Sequence, residues 1–191
     1  MNFIRTKIED VIIIEPKVHR DSRGYFVETF REDKLIEFLG YKINFCQDNE
    51  SKSLKGVLRG LHYQLAPYSQ SKLVRVIQGS VLDVAVDIRK GSSTFGNYVA
   101  IELTSENKKQ MFIPRGFAHG FVVLEDDTIF VYKVDNYYNP KCDRGIAFDD
   151  KTLNIDWLLD ENELNLSDKD RIQQKLKETN DLFEYGVNYY A

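Results

Sequence analysis

The stretch GVLRGLHYQ, residues 56–64, places two side chains that can do chemistry within one short strand-forming segment. A neutral histidine such as His62 can act as a base near pH 7, and an arginine such as Arg59 can hold a phosphate. Strict strand alternation directs these two side chains to opposite faces of a sheet. Gly60 lies between them, and a glycine inside a strand often marks a bulge or a close approach of another backbone. Two readings follow: a core or rim histidine, or a distorted strand that turns both side chains toward a ligand.

Three more polar residues interrupt apolar segments. His119 lies in PRGFAHGF, and Lys72 in SQSKLVRV alternates onto the same face as Val74 and Val76. A lysine on an apolar face is costly to bury unless it meets an anion or a polarised oxygen. Tyr132 in FVYKV, taken singly, is interpreted as a core aromatic with a satisfied hydroxyl. Only their combination indicates a site.

Two polar clusters in the N-terminal third are interpreted as turn-forming residues. In HRDSRGYFVETF, Arg23 and Glu28 bracket a glycine, and in FCQDNES the residues Gln47, Asp48 and Asn49 follow Phe45. Each cluster alone is a weak indication of function.

The residue types present leave proton transfer as the favoured chemistry. The chain has three histidines, with no His-x-His pair, no Cys-x-x-Cys and no His-Glu-x-x-His motif, so a metal site is not favoured. Nucleophile elbows and phosphate-binding glycine loops are missing as well. What remains is a histidine base, a tyrosine donor, a lysine that stabilises an oxyanion and arginines that hold phosphates. We therefore expect acid–base chemistry without a metal or another cofactor.

Composition and charge narrow the class of protein. The 191 residues fit one domain, residues 1–191, and a net charge of −4 argues against a nucleic-acid partner. The longest apolar run near the N-terminus, residues 11–14, is too short to span a membrane, and no signal peptide is visible. With Cys46 and Cys142 in no paired motif, we expect a cytoplasmic protein with reduced thiols.

Period-two patterns in the middle of the chain must position these side chains. In VLDVAVDIR, one face carries Leu82, Val84, Val86 and Ile88 and the other carries Asp83, Ala85, Asp87 and Arg89, which is typical of a half-buried strand. Many such strands separated by polar turns predict a mainly β, antiparallel jelly-roll or cupin-like barrel. Short flanking helices are predicted at residues 31–40 and 167–180, the second forming a C-terminal helical tail from about residue 160.

Several long blocks of the chain resemble the dTDP-4-dehydrorhamnose 3,5-epimerases in order and spacing. They are RDSRGYFVETF, FCQDNESKSLKGVLRGLHYQ, QSKLVRVIQGSVLDVAVDIRKGSSTFG, IPRGFAHGF, YKVDNYYNP and LSDKD. The resemblance runs from about residue 4 to residue 170. It implies a metal-free cupin-like homodimer that inverts carbons 3 and 5 of a dTDP-linked 4-keto-6-deoxyhexose, in deoxysugar biosynthesis such as that of dTDP-L-rhamnose.

The resemblance also implies roles for single residues. His62 matches the general base, Asp170 the acid that pairs with it, Tyr132 the proton donor on the opposite face, and Lys72 the lysine near the keto oxygen. Tyr138 matches an aromatic residue that stacks on the base. The other positions implied to bind the nucleotide sugar are Arg23, Glu28, Gln47, Asp48, Asn49, Arg59, His119, Asp143 and Lys169.

Alternatives remain at this point. Ser167 and Asp170 have the spacing of a helix capping box, so Asp170 could cap a helix instead of pairing with His62. A single-centre epimerase, an enzyme for another nucleotide sugar, and a non-catalytic ligand-binding cupin all fit the same pattern.

Overall fold

The computed structural model describes residues 1–190 and is built mainly from short strands. In chain order the strands are β1 Asn2–Arg5, β2 Ile12–Glu15, β3 Val18–Asp21, β4 Gly24–Val27, β5 Gln47–Ser53, β6 Leu58–Gln64, β7 Lys72–Gln78, β8 Ser80–Asp87, β9 Arg89–Lys90, β10 Tyr98–Thr104, β11 Gln110–Ile113, β12 Phe117–Val123, β13 Thr128–Val134, β14 Asp143–Gly145 and β15 Phe183–Glu184. The helices are α1 Glu32–Leu39, α2 Asp168–Arg171 and a 3₁₀ turn at Glu161–Glu163.

Two antiparallel sheets form the body of the fold. The larger has the order β1–β2–β11–β7–β13–β5, and the smaller has the order β10–β8–β12–β6–β14. Phe121 of β12 and Phe130 of β13 stack with their ring centroids 4.1 Å apart. They share a buried cluster with Val76 of β7 and Ala85 of β8, so the sheets pack face to face. The predicted antiparallel jelly-roll-like fold is confirmed.

Strand β8 differs from its prediction as a half-buried strand, because all eight of its residues are buried. Leu82 and Val84 face outward from the sandwich, where they join a second apolar cluster with Trp157 and Leu176 of the C-terminal segment. That segment covers the outer face of the smaller sheet. Asp83, which alternation placed on a solvated face, is therefore fully buried on the inner face.

Helix α1 confirms the prediction for residues 31–40. Its amphipathic turns bury Leu35, and Gly40 ends it with a φ of +79° while donating its N–H to the carbonyl of Ile36. Only glycine adopts this left-handed conformation readily, which explains why the helix ends there.

The predicted helix over residues 167–180, and with it the helical tail, is wrong. Helix α2 covers four residues only. Beyond it, the carbonyl of Gln174 accepts the N–H of Ala147, and the N–H of Leu176 donates to the Asp150 carboxylate. Contacts with the preceding loop thus take up the polar groups that a helix would pair internally, and the segment forms an irregular cover.

Strand β5 comes from the cluster that was interpreted as turn-forming. Its residues pair with β13 in register, and Asn49 lies opposite Tyr132. Half-buried and exposed positions alternate along it, with Gln47, Asn49 and Ser51 half-buried. An edge strand tolerates this polar pattern because one side of the strand meets solvent.

Candidate active site

Strand β6 is distorted at Gly60, in a way that decides where its side chains point. His62 pairs with His119 and Arg59 with Phe121, so three steps along β6 match two along β12. Gly60 has a φ of +130°, and a Cβ there would lie 2.4 Å from the backbone of β12. The extra residue brings Arg59 and His62 to the same cavity of about 520 Å³. The predicted bulge and close approach are both confirmed.

The cavity opens between the two sheets and gathers most of the candidate residues. A smaller recess of about 240 Å³ adjoins it, and both are lined by His62, Lys72 and Tyr132. The three therefore stand where the two spaces meet. The larger space is also lined by Glu50, Ser51, Arg59, His119, Phe121, Ser167 and Asp170, and the recess by Gln64, Gln70, Tyr138, Asp143 and Lys169.

His62 is held by a carboxylate from the far end of the chain. Its Nε2 lies 2.5 Å from Oδ1 of Asp170, and the Ser167 hydroxyl donates to Oδ2 at 2.8 Å. Burial alone would raise the pKa of Asp170, but the hydrogen bond from His62, its charge and the Ser167 hydroxyl lower that pKa below its ordinary value. The residue is an ionised carboxylate near neutral pH. It pairs with His62.

Asp170 takes part in the helix cap and also pairs with His62, because different atoms of the residue make the two sets of contacts. Ser167 is the N-cap of α2, and its hydroxyl accepts the N–H of Asp170 at 3.2 Å. One carboxylate oxygen returns to the Ser167 hydroxyl while the other meets His62. Capping and pairing therefore do not compete for this carboxylate, contrary to the expectation from sequence.

Lys72 begins β7 and turns into the cavity on the face that Val74 and Val76 share, as predicted. Its Nζ lies 3.4 Å from Nδ1 of His119. Burial lowers the pKa of Lys72 to about 8, although the charge of Asp83 opposes the shift. A lysine in this setting is still mostly charged at pH 7.

Tyr132 lies mid-strand in β13, half-buried, with its ring 6.0 Å from that of Phe130. Burial raises the pKa of its hydroxyl, and the positive charge of Arg59 partly offsets that effect. The phenol is therefore protonated at neutral pH and able to donate a proton.

The remaining candidate residues divide by location. Tyr138 donates to Asp143 at 3.0 Å, and Lys169 pairs with the same carboxylate at the rim of the recess. Arg59 donates to Ser53 at 3.3 Å. Asp48 and Asn49 line a separate groove of about 390 Å³ that meets the cavity residues only at Glu50 and Tyr132, and Gln47 lines none of these spaces, donating instead to Asn49 at 2.7 Å.

Arg23 and Glu28 do not reach the cavity of their own chain. Arg23 lies at the turn of the β3–β4 hairpin, where its side chain is 88% exposed and pairs with Asp21. Glu28 follows the hairpin and lies 3.6 Å from Arg31. The hairpin exposes the apolar side chains of Tyr25 and Phe26.

Comparison with known proteins decides the family. A model of the family described as dTDP-4-dehydrorhamnose 3,5-epimerase matches residues 5–178. The chain belongs to this family. The dTDP-4-dehydrorhamnose 3,5-epimerase of Shigella flexneri is 57% identical over 175 residues, which cover 92% of this chain and 96% of that protein.

Solved structures of relatives agree with the assignment. The dTDP-6-deoxy-D-glucose-3,5-epimerase of Legionella pneumophila, in complex with dTDP-4-keto-L-rhamnose, is 48% identical with a TM-score of 0.93, covering 97% of this chain and 99% of that one. A 3′-monoepimerase from Streptomyces bikiniensis, in complex with dTDP-quinovose, is 33% identical with a TM-score of 0.85, covering 90% and 86%. The predicted family and enzyme class, a carbohydrate epimerase, are confirmed.

Two negative observations apply to residues 1–190. No group of three or more histidine, cysteine, aspartate or glutamate side chains there is arranged to hold a metal ion. None of the helices in this part of the chain has the length and apolar character needed to cross a membrane.

The sequence patterns did not indicate two residues of the candidate site. Asp83, behind His119, was placed on the solvated face of β8, and Ser167 was considered only as part of a helix cap. One signal could have indicated that Asp83 is buried: it shares a strand face with Ala85, a small residue suited to a packed inner face. For Ser167, no signal in the sequence shows that the helix cap also donates a hydrogen bond to the carboxylate of Asp170.

Proposed function

We propose that this chain inverts carbons 3 and 5 of a dTDP-linked 4-keto-6-deoxyhexose by removing and returning protons through an enolate. The observation that carries the proposal is the convergence of His62, Lys72 and Tyr132 on one cavity, with the Asp170 carboxylate bound to the imidazole. A base, a cation and a proton donor are the three groups that such a reaction needs.

The proposed base is His62. Its Nε2 faces the Asp170 carboxylate, so the neutral ring carries its proton there and leaves the lone pair on Nδ1 for the substrate. The ionised carboxylate then stabilises the imidazolium formed when the proton is taken. Because the ketone at carbon 4 acidifies both neighbouring C–H bonds, one base serves both centres.

The charged Lys72 stabilises the negative charge that develops on the keto oxygen. Tyr132, protonated at neutral pH, returns a proton from the other side of the sugar, which is the requirement for inversion. Both residues stand at the junction of the cavity and the recess, on strands β7 and β13. Arg59 would meet the diphosphate, and Tyr138, with Asp143 and Lys169 beside it, would contact the nucleotide at the recess.

Exchange with heavy water tests this proposal. Incubation of dTDP-4-keto-6-deoxyglucose with the protein in D₂O should place deuterium at carbons 3 and 5, as read by NMR. Deuterium at one carbon only would indicate a single-centre epimerase, the second candidate, because a 3′-monoepimerase shares this fold. Absence of exchange at either carbon would contradict both.

We further propose that the protein works as a homodimer. Arg23 and Glu28, which the resemblance assigns to substrate binding, lie outside their own cavity on or beside a hairpin that exposes Tyr25 and Phe26. A partner chain would cover these apolar side chains and could receive the two charged residues in its own cavity. Light scattering at micromolar concentration should give twice the mass of one chain. Arg23→Ala should keep that mass and raise KM, and a monomer would overturn the proposal.

The predicted independence from cofactors also stays a proposal, supported by the chemistry, because enolisation needs neither a redox group nor a metal. Activity should be unchanged after exhaustive chelation. A loss that one divalent metal restores would contradict it.

We also propose a cytoplasmic location. It is supported by the unpaired thiols of Cys46 and Cys142. Fractionation of cells should recover the protein with cytoplasmic markers, and recovery from another fraction would contradict the location.

A further inference from the structure

Strands β8 and β12 bury a carboxylate and an imidazole side by side, with the imidazole of His119 in the cavity wall and the carboxylate of Asp83 next to it. Asp83 is 0% exposed and His119 is 6% exposed. Nε2 of His119 lies 3.1 and 3.0 Å from the two carboxylate oxygens of Asp83. A buried carboxylate requires hydrogen bonds or a nearby positive charge. The imidazole therefore carries its proton on Nε2 and donates it to Asp83.

That tautomer leaves a lone pair on Nδ1, which faces Lys72. The Nζ of Lys72 lies 3.4 Å from this nitrogen, a long hydrogen bond, and an ammonium group can only donate. Lys72 thus donates to His119, and His119 donates to Asp83. Both ring nitrogens of His119 are engaged by protein groups, one from β7 and one from β8.

The proton in this chain of groups belongs to the lysine near pH 7. Burial lowers the pKa of His119 below its ordinary value of 6.5, so its ring is neutral. Burial lowers the pKa of Lys72 to about 8, and the charge of Asp83 is the larger of two effects that oppose this shift. Without that charge, the lysine would lose its proton at a lower pH.

We propose that Asp83 and His119 are positioning residues that fix Lys72 in the cavity and keep its ammonium group charged. The inference rests on the proposed function, in which Lys72 stabilises the enolate. It gives His119 a role different from the substrate contact implied by the resemblance, and it gives Asp83 a role where none was predicted.

Other titratable groups face Lys72 across the cavity and the recess. Among them Asp143 also favours the charged lysine, to a smaller extent than Asp83. Asp83 differs from these groups because it is fully buried, so water and salt screen its charge least. The groups are Glu50, Arg59, His62, Tyr63, Tyr132, Tyr138, Asp143, Lys169 and Asp170.

The test compares Asp83→Asn with Asp87→Asn. Both carboxylates lie in β8 and are 0% exposed, but Asp87 bonds to Arg89, Ser92 and Thr94, away from the cavity. The substrate-free readout is the titration of Lys72, followed by NMR of protein labelled at the lysine Cε and assigned with Lys72→Met. We expect Asp83→Asn to lower the midpoint and Asp87→Asn to leave it unchanged.

The second readout is the pH dependence of deuterium exchange into the substrate. The alkaline decline should begin at lower pH in Asp83→Asn, with a loss of about tenfold for each unit by which the midpoint falls. Asp87→Asn should keep the decline of the original protein. If the Lys72 titration and the alkaline decline of Asp83→Asn coincide with those of the original protein, the inference is wrong.

A replacement variant and a separate reading of the two measurements cover the cases in which Asp83→Asn does not fold or the original protein is inactive. If Asp83→Asn does not fold by circular dichroism, His119→Gln replaces it, because the amide can still donate to Asp83 but offers Lys72 no partner on its other side. We expect the same direction of change, and an unchanged Lys72 titration in that variant overturns the inference. If the original protein shows no exchange, the proposed function fails. The titration of Lys72 still tests the proposed effect of Asp83 and His119 on the lysine.

Discussion

The molecule contains two histidine–aspartate pairs that have the same chemical groups but differ in burial and in surroundings. The side chain of His62 is 30% exposed, and Asp170 reaches it from helix α2, 108 residues further along the chain. His119 is almost fully buried, and Asp83 meets it from the neighbouring strand. In each pair the carboxylate fixes Nε2, so the difference lies in what the other nitrogen meets.

That difference separates the proposed base, His62, from His119, the proposed support of Lys72. His62 lines both the cavity and the recess, so its imidazole is within reach of a molecule bound in either space. His119 directs its second nitrogen to Lys72. Burial and the partner of the second nitrogen are thus what distinguish the two proposed roles, while the carboxylate is common to both pairs.

The largest expected effect comes from replacing the two histidines separately. His62→Ala removes the proposed base, so exchange and turnover should fall together by about 10³-fold or more. His119→Gln removes only the support for Lys72, and exchange should persist at a rate reduced by about tenfold near pH 7. Deuterium exchange and product formation, measured side by side, give both values. Equal losses in the two variants would contradict the division into base and support.

A smaller effect is expected when the carboxylate of the first pair is neutralised. Asp170→Asn keeps the shape but can no longer stabilise the imidazolium, and we expect kcat to fall by about 10²-fold with little change in KM. Steady-state kinetics at pH 7 checks this. A change confined to KM would indicate that Asp170 holds the substrate instead of the histidine.

The pH dependence of stability gives Asp170 a second signature. Its folded pKa is depressed below the ordinary value of 3.8, so its stabilising contribution is present above that value and is lost as the pH falls through the folded pKa. Asp170→Asn should therefore be less stable than the original protein at pH 7. The difference should shrink below about pH 4 in urea titrations. A constant difference across this range would argue against an ionised, paired carboxylate.

The fold was largely predictable from the residue patterns, whereas the pairing of His62 with Asp170 was implied only by the family resemblance, because the spacing of Ser167 and Asp170 also fits a helix cap. Strand alternation fixes the direction of Lys72, and a glycine within a strand predicted the bulge that joins Arg59 to His62. The burial of Asp83 was not predictable in the same way. Alternation defines the two faces of β8 but does not show which parts of the chain cover them. The outer face is covered by residues such as Trp157 and Leu176, far along the chain.

The C-terminal segment also shows that local sequence patterns do not reveal tertiary contacts. Its local pattern favours a helix, yet its backbone groups bond to the loop around Asp150, so tertiary contacts override local preference. The edge strand β5 was missed because its residues, QDNESKS, contain no apolar side chain to show the period. Its inward face is polar because it borders an open cavity.

Tyr132→Phe shows which part of the reaction the His62–Asp170 pair can carry out without the phenol. Deprotonation by His62 does not need the phenol, and the imidazolium can return the proton with retention. We expect exchange within about tenfold of the original rate and epimerised product reduced by about 10²-fold. NMR of the recovered sugar in D₂O measures both. Full epimerase activity would mean that Tyr132 is a packing residue and that water is the proton donor.

The smallest expected effect belongs to Ser167→Ala, which removes the hydroxyl behind the first pair. That hydroxyl accepts the N–H of Asp170 as the cap of α2 and donates to Oδ2 of its carboxylate. Loss of the cap should lower the free energy of unfolding by about 1 kcal/mol, as measured in urea.

The rate should respond less than the stability in this variant, because the contact between His62 and Oδ1 of Asp170 does not involve the hydroxyl. We expect kcat to fall only a few-fold, with exchange and inversion reduced in proportion. Ser167→Thr keeps the hydroxyl and serves as the matched control. A loss in Ser167→Ala as large as that in Asp170→Asn would mean that the serine, through Oδ2, orients the carboxylate toward His62, and that α2 is part of the catalytic arrangement and not only its support.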